Sequence, residues 1–371
     1  MIHISESQME RLLGMNRAIS GPFEPGAYRP FIGSDGKTYV TIKDGVNRPM
    51  INSAGATYMA FEPNGKLKTV MAGPDVYATL RRDEWKQLDE TVLETAHIHL
   101  VGIQDLINAG LTVNIPSLGT TEFESHTMSE SMEAGVSMDP AVRTRKDRPE
   151  YGAVYTPMPL IHSDFSIGKR PLEASRKGTG SDLQVDSVAQ ATRVVSERLE
   201  RMLFADETYK FGRGLVYSYT NHPDRTQKVL VESWLTADPG DILDDVLGMV
   251  QASLESRHYG PWTLYIPAAY TIVMDRDYVL LEQGKMLIRD RLMKVEGIKD
   301  IKAAPFLADD NILLVSMESS TVRLLHGLSP TVLQWTLNGG FTNEFAVVAC
   351  MIPQIRSDHY GRSGIVHAAT L

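Results

Sequence analysis

The sequence predicts an α+β fold, and three observations predict it. An alternating segment at residues 160–167 feeds a glycine-bearing turn and then a long amphipathic helix at 182–205. The C-terminal half alternates helices and strands without the regular βαβ repetition of a doubly wound sheet. Two long stretches hold too few periodic apolar residues to close a core of their own. With 371 residues, 43% hydrophobic and 22% charged, the chain is long enough for two ordinary domains and reads as globular.

Residues 3–19 predict a short amphipathic helix, with Met9, Leu12, Leu13 and Ile19 at near-helical spacing. Residues 20–74 are rich in Gly, Pro, Asn and Asp, and two short strands at 38–42 and 57–61 are the most they support. So thin a segment must lie on its own body or on a neighbouring subunit, so residues 1–80 are read as an arm. Residues 81–108 predict one helix, because Trp85, Leu88, Val92, Ala96, Leu100, Ile103 and Ile107 recur at three- and four-residue steps and Gly110 supplies a stop. His97 and His99 point about 200° apart on that helix and do not converge as metal ligands.

Residues 111–115 read as a strand. Residues 116–155 then carry scattered polar groups and a charge run containing Arg143, Arg145, Lys146 and Arg148. A hairpin of that length would have arms of about twenty residues, reaching roughly 60 Å, and an isolated hairpin is barely stable in water. It is expected to lie on a neighbouring copy of the chain; the alternative is a mobile surface loop.

In residues 160–167, Ile161, Ser163, Phe165 and Ile167 share one face and His162, Asp164 and Ser166 the other. Ser181 or Asp182 caps the long helix, whose stripe is Val185, Val188, Ala189, Val195, Leu199, Met202 and Leu203, with Arg193, Glu197 and Arg201 outward. Pro239 opens a further helix, with Leu243, Val246, Leu247, Val250 and Leu254 as its buried face. A strand at 262–266, a helix at 279–295 and strands at 312–317, 332–337, 344–353 and 364–369 complete the pattern.

A net charge of −9 and a pI near 5.6 argue against a basic face gripping nucleic acid. The single cysteine, Cys350, lies in an apolar run and reads as a core thiol. No apolar run is long enough for a membrane span and the start lacks the layout of a secretory signal, so use inside a cell, or in a particle assembled there, is expected. The sequence has no Gly-x-Ser-x-Gly elbow, Gly-x-x-x-x-Gly-Lys phosphate cradle, Gly-x-Gly-x-x-Gly fingerprint, His-Glu-x-x-His or paired Cys-x-x-Cys. Gly178-Thr-Gly180 and Gly212-Arg-Gly214 read as turns, and Asp244-Asp245 and Asp309-Asp310 as caps or exposed turns. His162 and Asp164 share a strand face and could pair as acid and base, but no nucleophile or oxyanion site accompanies them. No catalytic, metal or cofactor-binding residue is expected.

The order of features carries a family likeness. Trp85-Lys-Gln-Leu-Asp opens a helix, 111–119 leads into the hairpin, Pro159-Leu-Ile-His-Ser-Asp-Phe-Ser-Ile precedes the long helix ending Met202-Leu-Phe, and Gly212-Arg-Gly-Leu-Val follows. Tyr259-Gly-Pro-Trp-Thr-Leu-Tyr-Ile-Pro, Val295-Glu-Gly-Ile-Lys-Asp-Ile and Ile312-Leu-Leu-Val-Ser-Met continue it. Over about residues 80–371 this resembles the tailed-phage major capsid proteins of the Hong Kong 97 fold and the encapsulins.

The resemblance implies an N-terminal arm (1–80), a first helix of the peripheral region (81–110) and an extended hairpin, the E-loop (111–156). It further implies a peripheral domain built on a spine helix (157–237 and 341–371) and a mixed α/β axial domain (238–340). Its partners would be identical subunits in hexamers and pentamers, with portal and scaffolding proteins and the option of a decoration protein. The shell would enclose double-stranded DNA without sequence-specific binding, as a virion capsid assembled in the bacterial host cytoplasm. Arg143, Arg145, Lys146 and Arg148 would meet acidic surface on a neighbour, at Glu197 or Glu200; the alternative is an ordinary solvated charge run. The first eighty residues depart from encapsulins, which begin near the region of Trp85, and an added arm suits a shell under pressure from packaged DNA. An encapsulin-like nanocompartment and an unrelated soluble enzyme are the alternatives.

Overall fold

The computed structural model describes residues 82–370 except 117–118, 129–137, 139–150, 178–182, 279–285 and 339–340, together with residue 80 and six strands between residues 30 and 70. Those strands form two antiparallel three-stranded sheets: β1 (Pro30–Ile32), β2 (Thr38–Thr41) and β3 (Asn47–Pro49), then β4 (Ile51–Ser53), β5 (Thr57–Phe61) and β6 (Leu67–Val70). Two of them are the expected strands, and the helix expected at 3–19 lies outside the described residues.

The chain continues through helices α1 (Arg82–His99) and α2 (Gly102–Asn108), strands β7 (Thr112–Asn114), β8 (Glu122–Met128), β9 (Tyr151–Pro157) and β10 (Ile161–Gly168), and helices α3 (Lys169–Lys177) and α4 (Leu183–Phe204). Next come β11 (Tyr209–Phe211), β12 (Gly214–Val216), β13 (Thr226–Val229), α5 (Pro239–Glu255), β14 (Trp262–Pro267), α6 (Thr271–Met274) and α7 (Ile288–Leu292). The closing strands are β15 (Ile298–Ala304), β16 (Asn311–Ser316), β17 (Val322–Leu337), β18 (Thr342–Ile355) and β19 (Ile365–Ala369). No helix among the described residues is long and apolar enough to cross a membrane.

Two sheets organise the body. The first has strand order β10-β18-β17-β7, antiparallel except where β7 joins β17 in parallel. The spine helix α4 lies on it: Val188, Ala191, Val195, Leu199 and Leu203 pack with Leu88, Val92 and Ala96 of α1 and with Phe345 and Val347 of β18. The alternation expected of β10 holds, with His162, Asp164 and Ser166 exposed and Ile167 buried.

The second sheet has order β13-β19-β16-β14-β15 and is mixed. Successive strand residues point to opposite faces, so Tyr265, Leu313, Val315 and Ile365 join the spine-helix core. Leu264, Ile266, Ile312, Leu314, Val366 and Ala368 pack instead with Ile242, Val246, Met249 and Trp234. This sheet is thus a shared wall between two cores.

The structure corrects several expectations. The helix expected across 81–108 is interrupted at Leu100 and Val101, between α1 and α2. A Cβ on Gly102 would lie 2.6 Å from the side chains of Leu203 and Phe204, so glycine lets the chain cross the spine helix there without displacing them. Of the helix expected at 279–295, the described residues show α7; before it Asp277 bridges Leu287 antiparallel and the Tyr278 N–H donates to the Met286 carbonyl at 2.7 Å. Residues 279–285 of that expectation lie outside the described residues.

On α5 the buried face is Ile242, Leu243, Val246, Met249 and Val250, whereas Leu247 and Leu254, expected inside, are exposed. Strand β17 begins ten residues before the strand expected at 332, and register shifts around Leu328 absorb Gly327 and Pro330, which had interrupted the alternation. β17, within residues 238–340, lies in the first sheet, and β13 and β19, outside that range, lie in the second. Cys350 is buried as expected, and burial pushes its thiol up to about 11.

Gly102→Ala should lower the urea midpoint of unfolding without changing its slope, by about 1–3 kcal/mol of overpacking against Leu203 and Phe204.

Candidate assembly surfaces and the joint behind them

The excursion expected at 116–155 is a hairpin at its base. β8 and β9 pair antiparallel from Glu122↔Pro157 to Met128↔Tyr151. The Met158 N–H donates to the Thr121 carbonyl at 2.9 Å and closes the ladder. Gln354, at the far end of β18, donates its Nε2 to Ser125 Oγ on β8 at 3.0 Å and to Thr156 Oγ1 on β9 at 3.2 Å, so one buried side chain straddles both arms. From the other side, Gly214 of β12 approaches so closely that a Cβ would lie 2.7 Å from the Tyr155 carbonyl oxygen and from Pro157. Ile115, Met158, Val216, Cys350 and Ile352 form a small apolar cluster at this base.

Away from the base the hairpin has little cover. The first four residues of β9 are exposed, Tyr151 by 70% and Val154 by 46%. A crevice of about 350 Å³ opens beneath it, lined among others by Ser125, Tyr155, Arg213, His222, Gln354 and Arg356. A two-stranded ribbon leaving the body in this way has its angle fixed at the root and its faces free for a second surface.

Arg143, Arg145, Lys146 and Arg148 lie outside the described residues. Glu197 sits on the outer side of α4, partly exposed, in an i,i+4 pair with Arg193 at 3.7 Å. Arg201, the next residue of that row, lies over the Phe306 ring, 5.2 Å from its centroid. His162 and Asp164 do pair, Nδ1 to Oδ1 at 3.2 Å, and both are exposed.

Glu200 is corrected: it is no surface contact but is fully buried inside its own protomer. Its Oε2 accepts the Gly102 N–H at 3.2 Å and its Oε1 the Ile103 N–H at 3.1 Å. In an unbroken helix these amides would bond to carbonyls four residues back; the interruption leaves them free as first-turn donors. Burial pushes the carboxyl up to about 7, against the opposing pull of those amides. Three residues along α2, Asp105 accepts the Tyr265 hydroxyl of β14 at 3.0 Å and pairs with Lys302 of β15, which also reaches Asp300 at 3.5 Å. Spine helix, interrupted helix and second sheet are thereby joined through one polar relay.

Sequence reading placed Glu200 on the surface and missed Asp105 with Lys302, and Gln354. For Glu200 a signal existed: Val188, Thr192, Ser196 and Glu200 form one four-residue row, and all four are buried. The other contacts bridge residues 197 to 229 positions apart, which local pattern does not reveal.

This architecture is shared with shell-forming proteins. The solved virus-like particle from Pyrococcus furiosus superposes with a TM-score of 0.54 at 15% identity, covering 76% of this chain and 98% of that one. The capsid of Myoviridae phage XM1 gives 0.55 at 10% identity, covering 71% and 91%. A curated relative, the type 1 encapsulin shell protein EncA of Myxococcus xanthus (strain DK1622), is 22% identical over 234 residues, 63% of this chain and 71% of its own. The protein therefore has the Hong Kong 97 capsid fold, of the class used by viral capsids and encapsulin shells. Within that class the chain belongs to a family of unknown function, DUF6260, whose model matches residues 75–368.

Gln354→Ala should free the hairpin root: amide exchange in 122–128 and 151–157 rises several-fold, for two lost hydrogen bonds of about 1 kcal/mol each, while the spine-helix amides are unchanged. Because the Glu200 carboxyl lies above its unfolded value of 4.5, the native state holds the extra proton between there and about 7, and stability falls as pH rises through that window. Glu200→Gln should flatten this slope, worth on the order of 3 kcal/mol, in urea titrations repeated across that range.

Proposed function

We propose that this chain is the major capsid protein of a tailed double-stranded DNA bacteriophage, self-assembling into an icosahedral head that encloses the genome. The observation that carries this reading is the hairpin of β8 and β9, anchored at its root by Gln354 and Gly214 and otherwise exposed, on a fold shared with solved capsids. Identical subunits in hexamers and pentamers supply the missing surface, with the second sheet and α5 toward the capsomer centre and the spine helix toward its rim. Arg143, Arg145, Lys146 and Arg148 meet Glu197 of a neighbour in this arrangement. The role is structural, with no catalytic step. The acidic balance of −9 suits a container that confines DNA without gripping it. Portal and scaffolding proteins are its expected partners, with a decoration protein as an option, and assembly takes place in the bacterial cytoplasm.

An encapsulin-like nanocompartment is the second reading, favoured by the likeness to EncA and to the Pyrococcus furiosus particle. The first 74 residues, which precede the family match and include two three-stranded sheets, favour the virus, because an added clasp resists pressure from within.

Negative-stain microscopy of the purified chain should show closed shells or capsomers; small discrete particles alone would overturn both readings. Native particles should yield nuclease-protected double-stranded DNA, whereas a protein cargo without DNA would select the compartment.

A further inference from the structure

We propose that Glu200 is a proton-controlled latch between the spine helix and the second sheet. In the charged form it holds the Gly102 and Ile103 amides and keeps α2 seated. In the protonated form its new hydroxyl turns to the Tyr219 oxygen, and α2 moves with the sheet to which Asp105 is tied.

Four observations carry this. The carboxylate is completely enclosed and accepts the Gly102 and Ile103 N–H groups on separate oxygens, with the Val101 N–H drawn to it as well, so a proton on either oxygen weakens one of those bonds. The donors belong to a segment detached from α1 by the interruption at Leu100 and Val101, so α2 can shift without unwinding α1. Asp105 fastens α2 to Tyr265 and Lys302, so its movement is transmitted to β14 and β15. The Tyr219 hydroxyl is buried with no hydrogen-bond partner among the described residues, although the Glu200 charge acts on it. A buried hydroxyl without a partner is unfavourable, and the added proton supplies the donor that the Tyr219 oxygen lacks.

The charged and titratable groups facing Glu200 are few. Asp105 on α2 raises its carboxyl, and Tyr219 and Tyr265 sense its charge. Lys302 and Asp300 of β15 act on Asp105. α1, β10, β17 and β18 contribute Leu88, Val92, Ile167, Leu324, Val332, Phe345 and Val347 to the apolar cluster around the spine helix. Burial raises the carboxyl to about 7, so the latch would titrate near neutrality.

The test is residue-resolved amide exchange of the purified protein, corrected for intrinsic rates. In the wild type, protection of Gly102 and Ile103 should fall about fivefold from about pH 8 to about pH 6, while that of Leu88 and Val92 on α1 holds. Glu200→Gln should remove the response, and Tyr219→Phe should move its midpoint to lower pH. Protection that does not change with pH in the wild type, or an unchanged response in Glu200→Gln, overturns the latch. Should that variant not fold, Tyr219→Phe, which deletes one hydroxyl, decides: an unmoved midpoint refutes the proposal. Shell assembly does not enter the readout, so this outcome is independent of the capsid reading.

Discussion

A single buried carboxylate sets the geometry of the protomer. Glu200 stands in the core of the spine helix, where burying a charge without partners would be prohibitive, and its two partners are backbone amides that exist only because the preceding helix is broken. Gly102 lets the segment after the break approach the spine helix, since a side chain there would press on Leu203 and Phe204. Asp105, three residues further on, then faces Tyr265 and Lys302. One acidic residue, one glycine and one helix interruption therefore fix how the two sheets stand to each other.

What sequence alone could tell follows from the range of each interaction. The spine helix and β10 were legible because their apolar residues repeat at 3.6 and 2.0, and both are found where expected. The bulged first half of β17 was not, since Gly327 and Pro330 break the alternation that a strand needs in order to be recognised. α5 was legible as a helix but not in its rotation: Leu247 and Leu254 fit an apolar stripe, yet Ile242 and Met249 take the inward side. Of the candidate assembly surfaces, the hairpin was foreseen from its lack of core residues, whereas its anchor, Gln354, pairs with Ser125 across 229 positions. Such contacts belong to the folded molecule and leave no periodic trace.

Several polar groups among the described residues join elements to one another: Trp234 Nε1 donates to Asp245 at 2.9 Å, Ser233 and Tyr270 both donate to Asp310, and His367 accepts from Arg225 at 3.2 Å and contacts Asn311 at 2.7 Å. Asp310 stands in a turn as expected and accepts there from two hydroxyls, whereas Asp245, read from sequence as a cap or turn, lies within α5 and accepts from the Trp234 indole. Each such bond contributes only about 1 kcal/mol net, and their effect is to fix angles.

The long ribbon of β17 and β18 has a mechanical consequence. β18 alone runs for 14 residues, about 45 Å of extended chain. One end carries Gln354 under the hairpin root; the other turns beside Trp335, Leu337 and Phe341, all exposed. The two extremities are the ends of one continuous strand, so a displacement of the hairpin root would be carried along the β18 backbone toward the exposed apolar tip.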